Sequence, residues 1–169
     1  GGVIGHEMGH GFDDQGAKSD AKGVLRTWWK PDDEKAFKSL VDRIVEQYAQ
    51  YEPLPGLKLN GRLTAGENIG DLGGLSVAYA AYQLALNNKT PPVLDGFTGD
   101  QRFFLSWAQV WRELRRDEST RNLVMSNPHS PGMFRVQGVV RNMDEWYDAF
   151  GVTPENALYL APEQRVRIW

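Results

Sequence analysis

The chain has 169 residues, 41% of them hydrophobic and 24% charged, with a formal net charge of −3 and no cysteine. That length is one domain's worth and enough to bury a core, while the charge offers no basic footprint for nucleic acid. Disulfides and thiolate zinc sites are excluded, and no apolar run approaches the ~18 residues a membrane-spanning helix needs.

The opening "GGVIGHEMGHGFDD" predicts a helix over roughly Gly2 to Phe12, despite its glycines. Termini are usually frayed and polar. An apolar, glycine-bearing run leading straight into such a helix therefore predicts a fragment, cut from a longer protein just before an active-site helix; the alternative is a short native enzyme with an unusual start. "DDQGAKSDAKGVL" is dense in Asp and Gly and reads as loop. It lacks the alternating acids and closing glutamate of a calcium loop.

Pro31 with Asp32 and Asp33 marks a helix start. Phe37, Leu40, Val41, Ile44, Val45 and Tyr48 then recur at helical spacing until "EPLPG" ends the run. "LKLNGRLTAG" is a short extended link turning at Asn60-Gly61. A long helix follows from about Glu67 to Asn87. Its body "LSVAYAAYQLAL" is apolar nearly all round, which predicts burial between neighbours.

After the loop "NNKTPPVLDGFTGD", Asp100 is the expected cap of a helix whose Phe103, Phe104, Trp107, Val110, Trp111 and Leu114 form one stripe. Such a stripe is core before it is pocket. "SNPHSPGMF" is loop, "RVQGVVRNMDEWYDAF" is helical, and an irregular tail ends at Trp169. The fold class is mainly α with little strand, and there is no internal repeat.

Two of the three histidines, His6 and His10, stand at i and i+4 with Glu7 between them. On a helix they share a face, so both rings can reach one ion. Glu7 points off that axis, where it can hold a metal-bound water and take its proton. The plain alternative is two surface histidines with a salt-bridging glutamate.

A third ligand has to come from elsewhere. In "GENIGDLGG", Glu67 and Asp71 are again at i and i+4. Glu67 can complete a His/His/Glu site with an open fourth position. Asp71, one turn on, can accept the far N–H of a ligating histidine. Acids at a helix start also suit the dipole, but that explains less well two carboxylates on one face of an apolar helix. His129, in the proline-bounded "HSPGMFR", can stabilise an oxyanion, although taken alone it reads first as a surface loop histidine. Arg135 can bind a substrate carbonyl or hold the site together.

These strings, with "LNGRLTAGENIGDLGGLSVAYAAYQ", "FFLSWAQVW", "HSPGMFRVQG" and the closing "RIW", resemble the neprilysin and endothelin-converting-enzyme family of zinc metallopeptidases from Val3 to Trp169. The resemblance implies a thermolysin-like gluzincin catalytic domain, one catalytic Zn2+ per chain, and hydrolysis of internal bonds of peptides. By motif position, His6, His10 and Glu67 match the metal ligands and Glu7 the general base that activates water. Asp71 matches the carboxylate that orients a ligating histidine, His129 the transition-state stabiliser, and Arg135 the arginine that binds substrate backbone. Asp13 would be a further carboxylate behind the ligands. Val3, Val110 and Trp111 fall where the family builds its pocket for the residue after the cleaved bond.

The departures matter too. The family's substrate-aligning edge strand and its large helical domain lie upstream and are absent. Residues 1–169 are therefore expected to be a single catalytic, zinc-binding domain fragment whose partner is the missing N-terminal domain of the same protein. Isolated, it would expose apolar surface and self-associate. Val166 stands where the animal members carry a cysteine, and cysteine-free members look bacterial, often acting outside the cytoplasm. The competing reading is a catalytically incomplete zinc-binding fragment with only a structural or interaction role, because substrate has no strand to lie on. A metal-free helical domain is a third.

Overall fold

A computed structural model describes residues 1–169 as a helical assembly without a sheet, with only three isolated β-bridges. The opening helix forms as expected: α1 spans Gly2–Gly9, and a tighter 3-10 turn, His10–Phe12, continues it. α2 spans Pro31–Tyr48, with Pro31 and three acids in its first turn and Val41, Ile44 and Tyr48 buried. α3 spans Ala65–Leu86 and stops where Asn87 turns left-handed at φ 48°, a conformation asparagine tolerates.

Five expectations are corrected. Burial along α3 favours the half opposite to the one expected. The stretch from Asn68 to Leu75 is buried, whereas Val77 and Leu84 in the apolar body are 59% and 81% exposed. The cap of α4 (Gly99–Val110) is Thr98, not Asp100. Thr98 Oγ1 accepts from Gln101 N while Gln101 Oε1 accepts from Thr98 N, a reciprocal capping box. α4 also ends at Val110, so the aromatic stripe breaks there and Leu114 is fully exposed.

Beyond it, α5 (Asp117–Ser126) was not expected. It buries only Thr120 and Val124, too few apolar positions to leave a periodic trace. The last predicted helix is two, α6 (Gly132–Val140) and α7 (Asp144–Phe150). Between them, Asn142 Nδ2 donates to Gly138 O while Asn142 Oδ1 accepts from Val166 N in the tail.

The core is one cluster, built from Ile44 and Tyr48 of α2, Ile69, Leu72 and Leu75 of α3, Phe104 and Trp107 of α4, Phe134 and Val139 of α6, and Val166 and Ile168 of the tail. α1 joins it in a different way. Glycines recur every four residues on the facing sides of α1 (Gly5, Gly9) and α3 (Gly66, Gly70, Gly74), so each set forms one stripe. A Cβ on Gly5 would stand 2.8 Å from Gly74 Cα, and one on Gly74 would stand 2.3 Å from His6 N. The helices touch backbone to backbone, and α1 leaves Val3, Ile4 and Met8 exposed on its far side.

Candidate metal centre

That close approach determines what the side chains can reach. Because α1 lies on the glycines of α3, the acids flanking those glycines rise to either side of the two histidines. His6 Nε2 is 3.2 Å from Glu67 Oε2 and His10 Nε2 is 3.9 Å from Glu67 Oε1. The two rings meet edge to face at 4.6 Å between centroids, and potential ligand atoms of His6, His10 and Glu67 all lie within 4.8 Å of one another. A tetrahedral ion with bonds of about 2.1 Å needs its ligand atoms roughly 3.4 Å apart, so the set is of the right size.

The far nitrogens are already engaged. His6 Nδ1 bonds Asp71 Oδ1 at 2.8 Å, and His10 Nδ1 bonds Asp13 Oδ2 at 2.8 Å. Each Nδ1 therefore carries its proton toward a carboxylate, which leaves Nε2 as the nitrogen facing Glu67. Asp13 is itself held: its Oδ1 accepts from Gln15 N and Gly16 N at the turn that ends α1's extension. Asp71, with no exposed surface, also receives both Arg135 Nε and Arg135 Nη2 at 2.7 Å. That fork-to-fork pair is largely buried, and its arginine packs 3.7 Å from the centre of the Trp111 ring.

The polar inventory fits a cation. Glu67 Oε2 is buried and makes no hydrogen bond. It lies 3.2 Å from His6 Nε2 and 3.0 Å from His129 Nε2 without hydrogen-bond alignment to either. A carboxylate oxygen left so would be costly, and a divalent ion held by two imidazoles and this carboxylate removes the cost. Electrostatics agree. The hydrogen bond to Asp71 and the contact with Glu67 outweigh burial and raise His6 to about 9. Contact with His6 in turn holds Glu67 below the usual carboxylate range.

The remaining expected residues are spread around this centre. Glu7 is exposed on α1, between the histidines in sequence. His129 comes from the loop before α6, and its ring bonds only Asn127 Oδ1, at 2.9 Å. Val3 and Val110 line one apolar cavity of about 520 Å3 with Leu75, Phe103 and Trp107. Trp111 is not among its walls; it covers the Arg135 guanidinium instead. The glycine stripes, Asn127, and a buried Asn68–Ser130 hydrogen bond escaped the sequence reading. The four-residue glycine period was legible in it; the partners of Asn68 and Asn127 were not.

Comparison with known proteins gives the family. A model of peptidase family M13 matches residues 1–166. The chain is 43% identical to endothelin-converting enzyme 1 of Bos taurus over 99% of its own length and 22% of that protein's. It is 40% identical to neprilysin-11 of Caenorhabditis elegans over 100% of this chain and 20% of that one. Among solved structures, the zinc metalloprotease Zmp1 of Mycobacterium tuberculosis in complex with an inhibitor superposes with a TM-score of 0.97 at 52% identity, over 99% of this chain and 26% of that one. PepO from Lactobacillus rhamnosis superposes with a TM-score of 0.86 at 38% identity, over 100% of this chain and 25% of that one. The sequence thus spans about a fifth to a quarter of the relatives it matches. From its opening histidines to its buried Val166, the chain belongs to peptidase family M13, with relatives among the endothelin-converting enzymes and neprilysins.

Proposed function

We propose that residues 1–169 are the metal-binding catalytic part of a zinc-dependent peptidase that hydrolyses internal bonds of peptides. The observation that carries this reading is the convergence of His6, His10 and Glu67 ligand atoms within 4.8 Å, with a carboxylate behind each histidine. His6 and His10 bind one zinc per chain through Nε2, and Glu67 binds through its carboxylate. When bound, the metal supplies Lewis acidity that acidifies water and polarises the scissile carbonyl.

The chain's own groups do the rest. Glu7 takes one proton from the attacking water and delivers it to the leaving nitrogen as the C–N bond breaks. His129 Nε2–H donates to the oxyanion as charge builds on the carbonyl oxygen. Asp71 and Asp13 hold the two ligating rings in one tautomer and orientation. Arg135 has Nε and Nη2 on Asp71, which leaves Nη1 for a substrate carbonyl. The cavity of Val3 and Val110 takes a large apolar side chain after the cleaved bond, and Trp111 keeps Arg135 in place beside it.

Glu7→Gln tests the assignment. It is expected to keep stoichiometric zinc and abolish cleavage of a short peptide with an internal large apolar residue; unchanged turnover rejects Glu7 as the base.

The second reading, a zinc-binding piece that does not cleave by itself, draws on the openness of the His10 side. The His10 side chain is 34% exposed and Glu7 is exposed too, so the centre excludes water on only one flank. The exposed Val3, Ile4 and Met8 support self-association of the chain when isolated. A turnover rate of the isolated chain equal to that of a longer protein carrying it argues against the second reading. A sedimentation coefficient independent of concentration argues against self-association.

A further inference from the structure

Three buried polar side chains beside the metal centre have no part in the chemistry above. Thr64, Asn68 and Ser130 are 3%, 1% and 3% exposed. They form a one-way chain of hydrogen bonds. Ser130 Oγ donates to Asn68 Oδ1 at 2.9 Å, Asn68 Nδ2 donates to Thr64 Oγ1 at 2.9 Å, and Thr64 Oγ1 donates to Asn60 O at 3.3 Å.

Their places in sequence give the chain its meaning. Asn68 is the residue after Glu67, and Ser130 is the residue after His129. The His129 ring is 44% exposed, and its hydrogen bond stays inside its own loop, on Asn127. Asn127 N donates to Leu123 O and Gly132 N to Glu113 Oε1. The Ser130–Asn68 bond is therefore the one hydrogen bond between residues 127–131 and α3. A buried hydroxyl–amide pair stabilises little more than two apolar groups of the same shape. What it adds is a fixed distance and direction.

We propose that Asn68 and Ser130 are positioning residues for His129: their buried hydrogen bond docks the loop on α3 so that the imidazole Nε2 stays 3.0 Å from Glu67 Oε2. The inference rests on the role given to His129 above. The register is passed along two adjacent pairs, Glu67–Asn68 on the helix and His129–Ser130 on the loop. Thr64, one turn before Asn68, holds the amide so that its oxygen faces the loop. Without the bond the loop keeps its fold, but its one exposed ring samples positions away from the centre. Displacement by about 1 Å is enough to cost up to roughly 100-fold in rate.

The test uses the zinc-loaded protein that carries this chain and reads zinc content, kcat and KM separately on a short peptide. Ser130→Ala is expected to lower kcat about 10- to 100-fold with KM within about twofold and zinc unchanged. His129→Ala is expected to lower kcat at least as far, and His129→Ala/Ser130→Ala no further, because both changes remove one function. Asn68→Leu/Ser130→Ala replaces both partners with apolar groups; it is expected to recover the thermal stability lost in Ser130→Ala while kcat stays low. Full kcat in that stabilised double variant, or a Ser130→Ala effect that multiplies with that of His129→Ala, overturns the positioning role. If His129→Ala itself leaves kcat intact, the role of His129 fails first and the positioning role with it. If His129→Ala is slow and Ser130→Ala is not, only the positioning role fails.

Discussion

Gly74→Ala puts the glycine contact between α1 and α3 to a test whose sign is opposite to ordinary expectation. Alanine in a helix interior is normally favoured over glycine by about 1 kcal/mol. Here the added Cβ would lie 2.3 Å from His6 N, 2.6 Å from Gly2 O and 2.9 Å from Gly5 C. All three atoms are backbone, so no rotamer change relieves the overlap. Restoring ordinary contact moves α1 outward by about 1 Å, with an overpacking penalty of about 1–3 kcal/mol. The same shift carries the His6 and His10 rings away from Glu67. Metal–ligand distances tolerate only about 0.2 Å, so zinc affinity should fall at least as far as on losing a partner behind a ligand, about 10–100-fold.

Gly73→Ala is the internal control. It is the neighbouring position on the same helix, and its Cβ would meet only Trp169 Cδ1 at an ordinary 3.5 Å, so it should be neutral or stabilising by up to about 1 kcal/mol. Zinc affinity by competition with a chromophoric chelator, and Tm by circular dichroism with and without zinc, read both effects. A Gly74→Ala protein that binds zinc as tightly as the parent and melts no lower than Gly73→Ala refutes the backbone-contact argument.

Three further outcomes follow from the site. Asp71→Asn removes the negative charge behind His6 Nδ1 and leaves the buried Arg135 charge without its counter-ion. It should weaken zinc binding about 10–100-fold and destabilise by about 3–5 kcal/mol, and denaturant melts showing under about 1 kcal/mol would contradict that. Asp13→Ala frees His10 Nδ1 and the amides of Gln15 and Gly16; a loss of about 1–2 kcal/mol with weaker zinc binding is expected, and a normal zinc titration would count against it.

The metal-free chain should also respond to pH through His6, raised from 6.5 to about 9 chiefly by its hydrogen bond to Asp71. A raised folded-state value means the stabilisation is complete below pH 6.5 and lost as pH climbs through about 9. The metal-free Tm should therefore fall over that window. Zinc uptake near neutral pH should release a proton from His6, measurable as a dependence of binding enthalpy on buffer ionisation enthalpy; no proton release would sink the assignment.

The residues differ in how far they could be read from the string. The spacings His6–His10 and Glu67–Asp71 are local, and a helix converts four residues into one turn on one face wherever it sits. The helix starts at Pro31 and near Glu67 are local too, because cap and dipole chemistry acts within a turn. So the candidate ligands, the helical class and the existence of α1 to α4 were legible, but not which half of α3 is buried, where α4 ends, or the Thr98 cap, where a capping box with Gln101 stands in place of Asp100.

Other features depended on contacts across 60 or more positions. That Asp71 serves His6, that Arg135 is held on Asp71, and that Ser130 is tied to Asn68 follows from how closely α1 and α6 lie on α3. The break between α6 and α7 falls at Asn142, whose Oδ1 accepts from the Val166 amide of the tail, a contact that a pattern reading as one helix does not announce. Amino-acid order determined which groups could share a face, because helical geometry is set residue by residue. Only the packing of glycine against glycine decided which faces met, because that depends on the space left between elements distant in the chain.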